Sequence, residues 1–144
     1  MNRLILMALA AALATAGCAS YRMSDADRLE LYRTHAGAPI NNFHYFGSYE
    51  SWTSLGDSAL AVWTRPKQAY LLELMGTCPG LDFARAISVS HQMGTVSARF
   101  DKVTVLGEPT PTIPCQIREI RPLDVGAIRD DEAERRKAQE AGGT

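Results

Sequence analysis

The residues with most capacity for chemistry stand between Phe43 and Trp52 (FHYFGSYESW), where five aromatic rings and one histidine share ten positions. Flat rings stack on sugar faces and on apolar ligands, which makes Phe43, His44, Tyr45, Tyr49 and Trp52 the candidate ligand-facing residues. The same spacing suits a first strand that feeds both faces of a small core, with Trp63 and Tyr70 in that core. Histidine catalysis needs a nucleophile or acid within hydrogen-bond reach and an orienting carboxylate. His35, His44 and His91 are accompanied by no Gly-x-Ser-x-Gly elbow and no His-Glu-x-x-His pair. Asp57, Asp101 and Asp124 occupy turn or cap positions, where Asp bonds local backbone N–H groups. Glu73 alternates outward on its strand. No carboxylates pair as a general acid and base, and no glycine-rich loop is built to cradle a phosphate. The sequence therefore assigns no catalytic residue, cofactor or metal.

Cysteine is the other reactive type. Neither Cys78 nor Cys115 lies in a Cys-x-x-Cys motif, so a thioredoxin-like role lacks its signature. A zinc site drawn from these two and a pair of histidines matches no common ligand spacing.

The elements that position these groups follow from periodicity. Ser24 is placed to cap a helix with acids in its first turn, and Ala26, Leu29, Tyr32 and Ala36 form its apolar stripe until Gly37 and Pro39 stop it. From Asn42 the period drops to two. Phe43, Tyr45 and Tyr49 belong to a first strand. Ala59–Thr64 and Gln68–Met75 form a hairpin around Pro66. Leu81–Arg85 is a single helical turn. Ala86–His91, Val96–Phe100 and Val103–Leu106 read as further strands. Gly107–Pro114 holds three prolines in eight residues, a stiff extended loop. Cys115–Arg121 is the last strand, and its apolar step of three from Ile117 to Ile120 marks a bulge or a strand end. Asp124 caps a final helix to about Glu140, with Asp131–Arg135 and Glu132–Arg136 as i,i+4 pairs. The expected fold class is α+β: a small antiparallel β-sheet or barrel of six or seven strands, flanked by a short N-terminal and a polar C-terminal helix.

Composition bounds the function. The 144 residues carry 15 Lys plus Arg against 16 Asp plus Glu, a formal charge of −1. That balance excludes a strongly basic nucleic-acid binder and a polybasic membrane-surface protein, since neither has the positive field it needs. Apolar residues at 46% and charged residues at 22% exclude a wholly disordered chain.

The amino terminus has its own pattern. Arg3 precedes the uncharged thirteen-residue run Leu4–Ala16. As a helix at ~1.5 Å per residue that run spans about 20 Å, short of a ~30 Å hydrocarbon core, so it reads as an export signal rather than an anchor. Its ending, Thr15-Ala16-Gly17-Cys18, resembles the bacterial lipoprotein signal, with Thr15 standing where leucine is usual and Leu13 two residues earlier. The resemblance implies cleavage before Cys18, a diacylglycerol on its sulfur and an acyl chain on the new amine. With Ala19 next, it implies the periplasmic face of the outer membrane. At ~0.8 kcal/mol per buried CH₂, three acyl chains hold permanently where one holds marginally. Once Cys18 is assigned to lipid, Cys78 and Cys115 remain as a pair, and an oxidising periplasm makes a disulfide its default state. That bridge closes a loop worth about 4 kcal/mol in the chain-entropy model.

A second resemblance covers residues 40 to 125. Trp52, Leu60-Ala61-Val62-Trp63, Tyr70-Leu71-Leu72, Cys78, Asp101-Lys102-Val103, Ile113-Pro114-Cys115-Gln116-Ile117 and Ile120-Arg121-Pro122-Leu123-Asp124 are similar in order to an uncharacterised family of Gram-negative envelope proteins. It implies a compartment and a shared disulfide, but no activity. The organisation expected is a signal over 1–17, a lipidated tether over 18–23, a globular domain over 24–126, and a polar helix with a loose tail over 127–144. The expected function is a lipid-anchored periplasmic module that binds or scaffolds another envelope protein or a glycan. The alternatives are a small hydrolase or ligand-binding enzyme at residues 43–52, and sensing or redox protection through Cys78 and Cys115.

Overall fold

Two apolar segments, Ala59–Arg65 and Gln68–Leu74, make the antiparallel hairpin around which the chain is assembled. The structure is a computed structural model that describes residues 22–107 and 112–142. Cys18, the Leu4–Ala16 run and the middle of the proline-rich loop lie outside those residues. In chain order the elements are α1 (Asp25–Thr34), β1 (Asn42–His44), β2 (Ser51–Ser54), β3 (Ala59–Arg65), β4 (Gln68–Leu74), a 3-10 turn (Leu81–Phe83), β5 (Ala86–Val89), β6 (Thr95–Ser97), β7 (Lys102–Leu106), β8 (Cys115–Leu123) and α2 (Val125–Gly142). The fold is α+β. Six strands form one antiparallel sheet in the order β2-β3-β4-β8-β7-β5, and β1 pairs with β6 in a second. Among the described residues no helix is long and apolar enough to cross a membrane.

The central hairpin is largely apolar because both of its faces are covered. On one face Leu60, Val62, Tyr70, Leu72 and Leu74 meet Phe43, Val96, Val103, Ile117 and Ile120 in the main core. On the other, Ala59, Ala61, Ala69 and Leu71 meet Leu29, Leu31 and Tyr32 of α1 and Val125 and Ile128 of α2. Successive strand residues point to opposite faces, so β3 places small alanines under the helices and large residues in the core. Those alanines let the helix side chains approach the sheet. Trp63 has the parity of Ala61. It therefore leaves the core that Tyr70 occupies and sits edge-on to Tyr32 on the helix side, with ring centroids 6.3 Å apart.

Three further differences from the periodicity have local causes. The aromatic strand is cut in two at Gly47, which turns at φ +81°, so residues 42–54 supply strands to both sheets and the total among the described residues reaches eight. The strand beginning at Thr95 stops at Ser97 instead of running on to Phe100. There the buried Asp101 carboxylate accepts the Ser97 N–H and the Ser90 hydroxyl, each at 2.7 Å, and closes a turn that leaves Phe100 exposed. In α1 the buried stripe is Leu29, Leu31 and Tyr32, while Ala26 faces solvent. Ser24 caps this helix by accepting the Asp27 N–H at 3.2 Å.

The step between Ile117 and Ile120 is a bulge. Glu73 pairs with Glu119 and Leu74 with Ile117, so Arg118 is the extra residue and both isoleucines reach the core fully buried. Cys78, in the connection after β4, is joined to Cys115 at the start of β8 with Cα atoms 5.7 Å apart. The disulfide thus staples the chain beside a strand pair that is already hydrogen-bonded.

Glu73 does not point into water. It lies on the helix face of β4 with its side chain only 8% exposed, where the Arg33 guanidinium of α1 meets Oε1 at 2.5 and 2.7 Å and Arg118 reaches Oε2 at 3.5 Å. A carboxylate taken out of water stays charged at tolerable cost only when it is paired in this way. A second polar clamp joins the helices to each other. His35 Nε2 lies 2.8 Å from Asp131 Oδ2, and the Asp124 N–H donates to the His35 carbonyl at 2.9 Å. Asp124 also caps α2 by accepting the Ala127 N–H at 3.0 Å. The hydrogen bond with His35, followed by the charge of Arg135, holds the Asp131 carboxyl below the usual carboxylate range.

Three outcomes are expected. Ala61→Leu overpacks the floor beneath α1 and lowers unfolding free energy by about 1–3 kcal/mol in urea. Arg33→Met leaves Glu73 short of its main partner and costs about 1–3 kcal/mol, most of it recovered in Arg33→Met/Glu73→Met, where no buried charge remains. Because the folded carboxyl of Asp131 titrates lower than the unfolded one, its contribution is present above the ordinary carboxylate range and lost as pH falls through the folded value. The stability gap between the parent and Asp131→Asn, followed by urea unfolding through the carboxylate range, therefore closes on acidification.

Candidate functional site

Strand β1 sorts its aromatic residues by parity. Phe43 turns inward and is 3% exposed, stacked on Tyr70 with ring centroids 4.2 Å apart and an interplanar angle of 14°. Tyr45, just past the strand, is buried beside His91 at 5.1 Å and Tyr49 at 6.3 Å. Its N–H donates to the Gly94 carbonyl at 2.6 Å. Glycine is required at that contact: φ is +76°, and an added Cβ would lie 3.2 Å from the Tyr45 carbonyl oxygen. Burial, and then the neighbouring Tyr49, push the Tyr45 hydroxyl above its ordinary pKa, so at neutral pH it is a proton donor and not a phenolate.

The other parity faces outward. His44 is exposed, with its ring 6.2 Å from that of Phe46, and the Arg65 guanidinium lies 5.8 Å from the Phe46 centroid. Phe46 is itself 75% exposed. Together these three side chains make a short imidazole–phenyl–guanidinium strip on the surface. Arg65 comes from the end of β3, so the central hairpin positions the strip as well as the core.

Tyr49 and Trp52 are half-buried against the core. The Tyr49 hydroxyl donates to the Ile87 carbonyl at 2.7 Å and so ties the segment before β2 to β5. Trp52 lies opposite Val62 in the β2–β3 register. The five ligand-facing candidates are therefore divided. Phe43 and Tyr45 fill the core, Tyr49 and Trp52 border it, and His44 alone is fully on the surface, next to Phe46 and Arg65.

The geometry limits the chemistry of this segment. Among the described residues no hydrogen bond joins His44 to a carboxylate or a hydroxyl. Among the described residues the one His–carboxylate pair is His35–Asp131, and no described hydroxyl is bonded to that imidazole. Among the described residues no group of three or more His, Cys, Asp or Glu side chains is placed to hold a metal ion. What the strip offers is contact: a flat ring, an imidazole and a cation suited to stacking and to bonding hydroxyl or anionic groups.

Two polar constellations escaped the sequence reading. His35 and Asp131 are 96 positions apart, and no local signal connects them. Glu73 did carry a signal, as a lone acid inside the run AYLLEL, where a charge needs a partner.

Comparison with curated proteins and with solved structures finds no match. A family model does match, over residues 1–139, so it takes in the amino-terminal segment as well as the sheet and both helices. The chain belongs to that family, described as a family of unknown function (DUF6491).

Proposed function

We propose that this chain is a lipid-anchored binding module of the bacterial cell envelope, held through acyl chains on Cys18 at the periplasmic face of the outer membrane. One observation carries the reading. The Cys78–Cys115 bridge takes up two of the three cysteines and leaves Cys18 as the remaining sulfur, at the end of the export-like run Leu4–Ala16. A bridged pair suits an oxidising compartment and is rare in a reducing cytosol. The Thr15-Ala16-Gly17-Cys18 ending supports lipid as the fate of that sulfur.

The surface chemistry supports binding as the task. His44, Phe46 and Arg65 present rings and a cation to solvent, a set that recognises a glycan or the rim of another envelope protein by stacking and hydrogen bonding. The double-sided packing of the central hairpin gives that strip a rigid support. Scaffolding is the same activity carried out between two partners, one of them the membrane.

Metabolic labelling with a palmitate analogue, followed by envelope fractionation, tests the placement. Label on the parent chain in the membrane fraction, abolished by Cys18→Ser, is the expected result. An unlabelled parent chain in the soluble fraction, with thiols at Cys78 and Cys115, contradicts it.

A further inference from the structure

Arginines gather at the amino-terminal edge of the helix pair beyond what the fold uses. Helices α1 and α2 run antiparallel, since His35 at the end of α1 meets the early turns of α2. The start of α1 therefore lies against the middle of α2, and a cleft of about 410 Å³ opens between them. Arg22, Arg28, Arg135 and Arg136 line it, with Glu132 as the one acid on its wall.

Internal pairing does not use up these charges. Of the two i,i+4 pairs expected in α2, only Asp131–Arg135 forms, at 3.7 Å. Glu132 and Arg28 both lie close to the buried Tyr32, whose hydroxyl is pushed above its ordinary pKa first by burial and then by the Glu132 charge. Arg136 is left without its helical partner, and neither Arg136 nor Arg22 has an ion pair or side-chain hydrogen bond among the described residues. Arg28 spends one nitrogen on the Thr53 hydroxyl at 3.0 Å. Asp25 and Asp27 stand nearby in the first turn of α1, where Asp27 is engaged with the Ser24 cap at 2.6 Å. Arg22 and Arg136, left unpaired at this open cleft, offer guanidinium forks that match phosphate oxygens in charge and in planar geometry, with Arg28 and Arg135 beside them.

Position narrows the source of the phosphate. Arg22 is four residues from Cys18. At ~3.3–3.6 Å per residue the backbone of position 18 can lie no farther than about 14 Å from that of Arg22 by covalent reach alone. A polar headgroup layer of ~5–7 Å lies outside each face of the hydrocarbon core. We infer that this arginine cleft takes the phosphodiester headgroup of an anionic phospholipid, in the leaflet that carries the anchor. The inference rests on the lipid-anchored reading for its choice of ligand. The contact orients the domain as well as retaining it, because it lays the helix pair toward the bilayer and turns the opposite surface of the sheet to the periplasm.

The test uses the full-length Cys18→Ser chain, which cannot be acylated, cosedimented with phosphatidylcholine vesicles with and without phosphatidylglycerol. Binding to phosphatidylcholine alone measures the apolar Leu4–Ala16 run and is subtracted. The expected result is a preference for phosphatidylglycerol that weakens with salt and falls roughly fivefold for each arginine removed in Arg135→Ala/Arg136→Ala. The Arg135→Lys/Arg136→Lys chain keeps the charge but loses the planar fork, and binds between the parent and the alanine variant. No preference in the parent overturns the inference. So does an undiminished preference in the alanine variant when its circular dichroism and urea midpoint match the parent. Inorganic phosphate that binds the chain as tightly as the vesicles and displaces them fully assigns the cleft to a soluble anion instead, and also overturns it. Acylation plays no part in this measurement. An unlabelled Cys18 in cells therefore defeats the anchor without touching the cleft, and a failed vesicle assay leaves the anchor standing.

Discussion

Strand β4 is covered on both faces, and the architecture follows from that constraint. A strand with one wet face can alternate polar and apolar residues, but Ala69 to Leu74 has no wet face, so each position must be apolar or paired. Leu72 and Leu74 go to the core, and Ala69 and Leu71 go to the helices. Glu73 is the exception, and Arg33 must come down from α1 to meet it. The pairing therefore does more than neutralise a charge: it fixes the rotation of α1 over the sheet. The His35–Asp131 bond then fixes α2 against α1. The helix layer is held by apolar burial and oriented by the Arg33–Glu73 ion pair and the His35–Asp131 hydrogen bond.

Much of this was legible in the residues because the local signals agreed with one another. Pro66 between two apolar runs specified the hairpin, Ser24 and Asp124 marked both helix starts, and the three-residue step at Ile117–Ile120 gave away the bulge. What stayed hidden depends on long-range geometry. The sequence places Ala59–Thr64 in a strand without saying that its alternate faces belong to different cores, so Trp63 was grouped with Tyr70. The break at Gly47 could not be read from alternation alone, since a glycine inside an aromatic run fits either a strand or a turn. The early end of β6 depends on Ser90 and Asp101 meeting across a hairpin.

The aromatic segment was legible in composition and illegible in orientation. Ring density at residues 43–52 serves a core and a recognition surface equally well, and strand parity decides residue by residue. Phe43 and Tyr45 went to the core, whereas His44 and Phe46 came to the surface with Arg65. A core built partly from aromatic rings is stiff, which suits a surface strip that must hold one geometry. The disulfide works in the same direction, tying the connection after β4 to the start of β8.

The account as a whole turns on how three sulfur atoms are divided between lipid and protein. Intact-mass and peptide-mapping mass spectrometry on protein extracted from envelopes, without reduction, reads that division directly. The account predicts a chain that begins at residue 18 and carries the added mass of its acyl groups, together with a cross-linked peptide joining positions 78 and 115. A chain that retains its initiator methionine and yields two separate thiol peptides would contradict it.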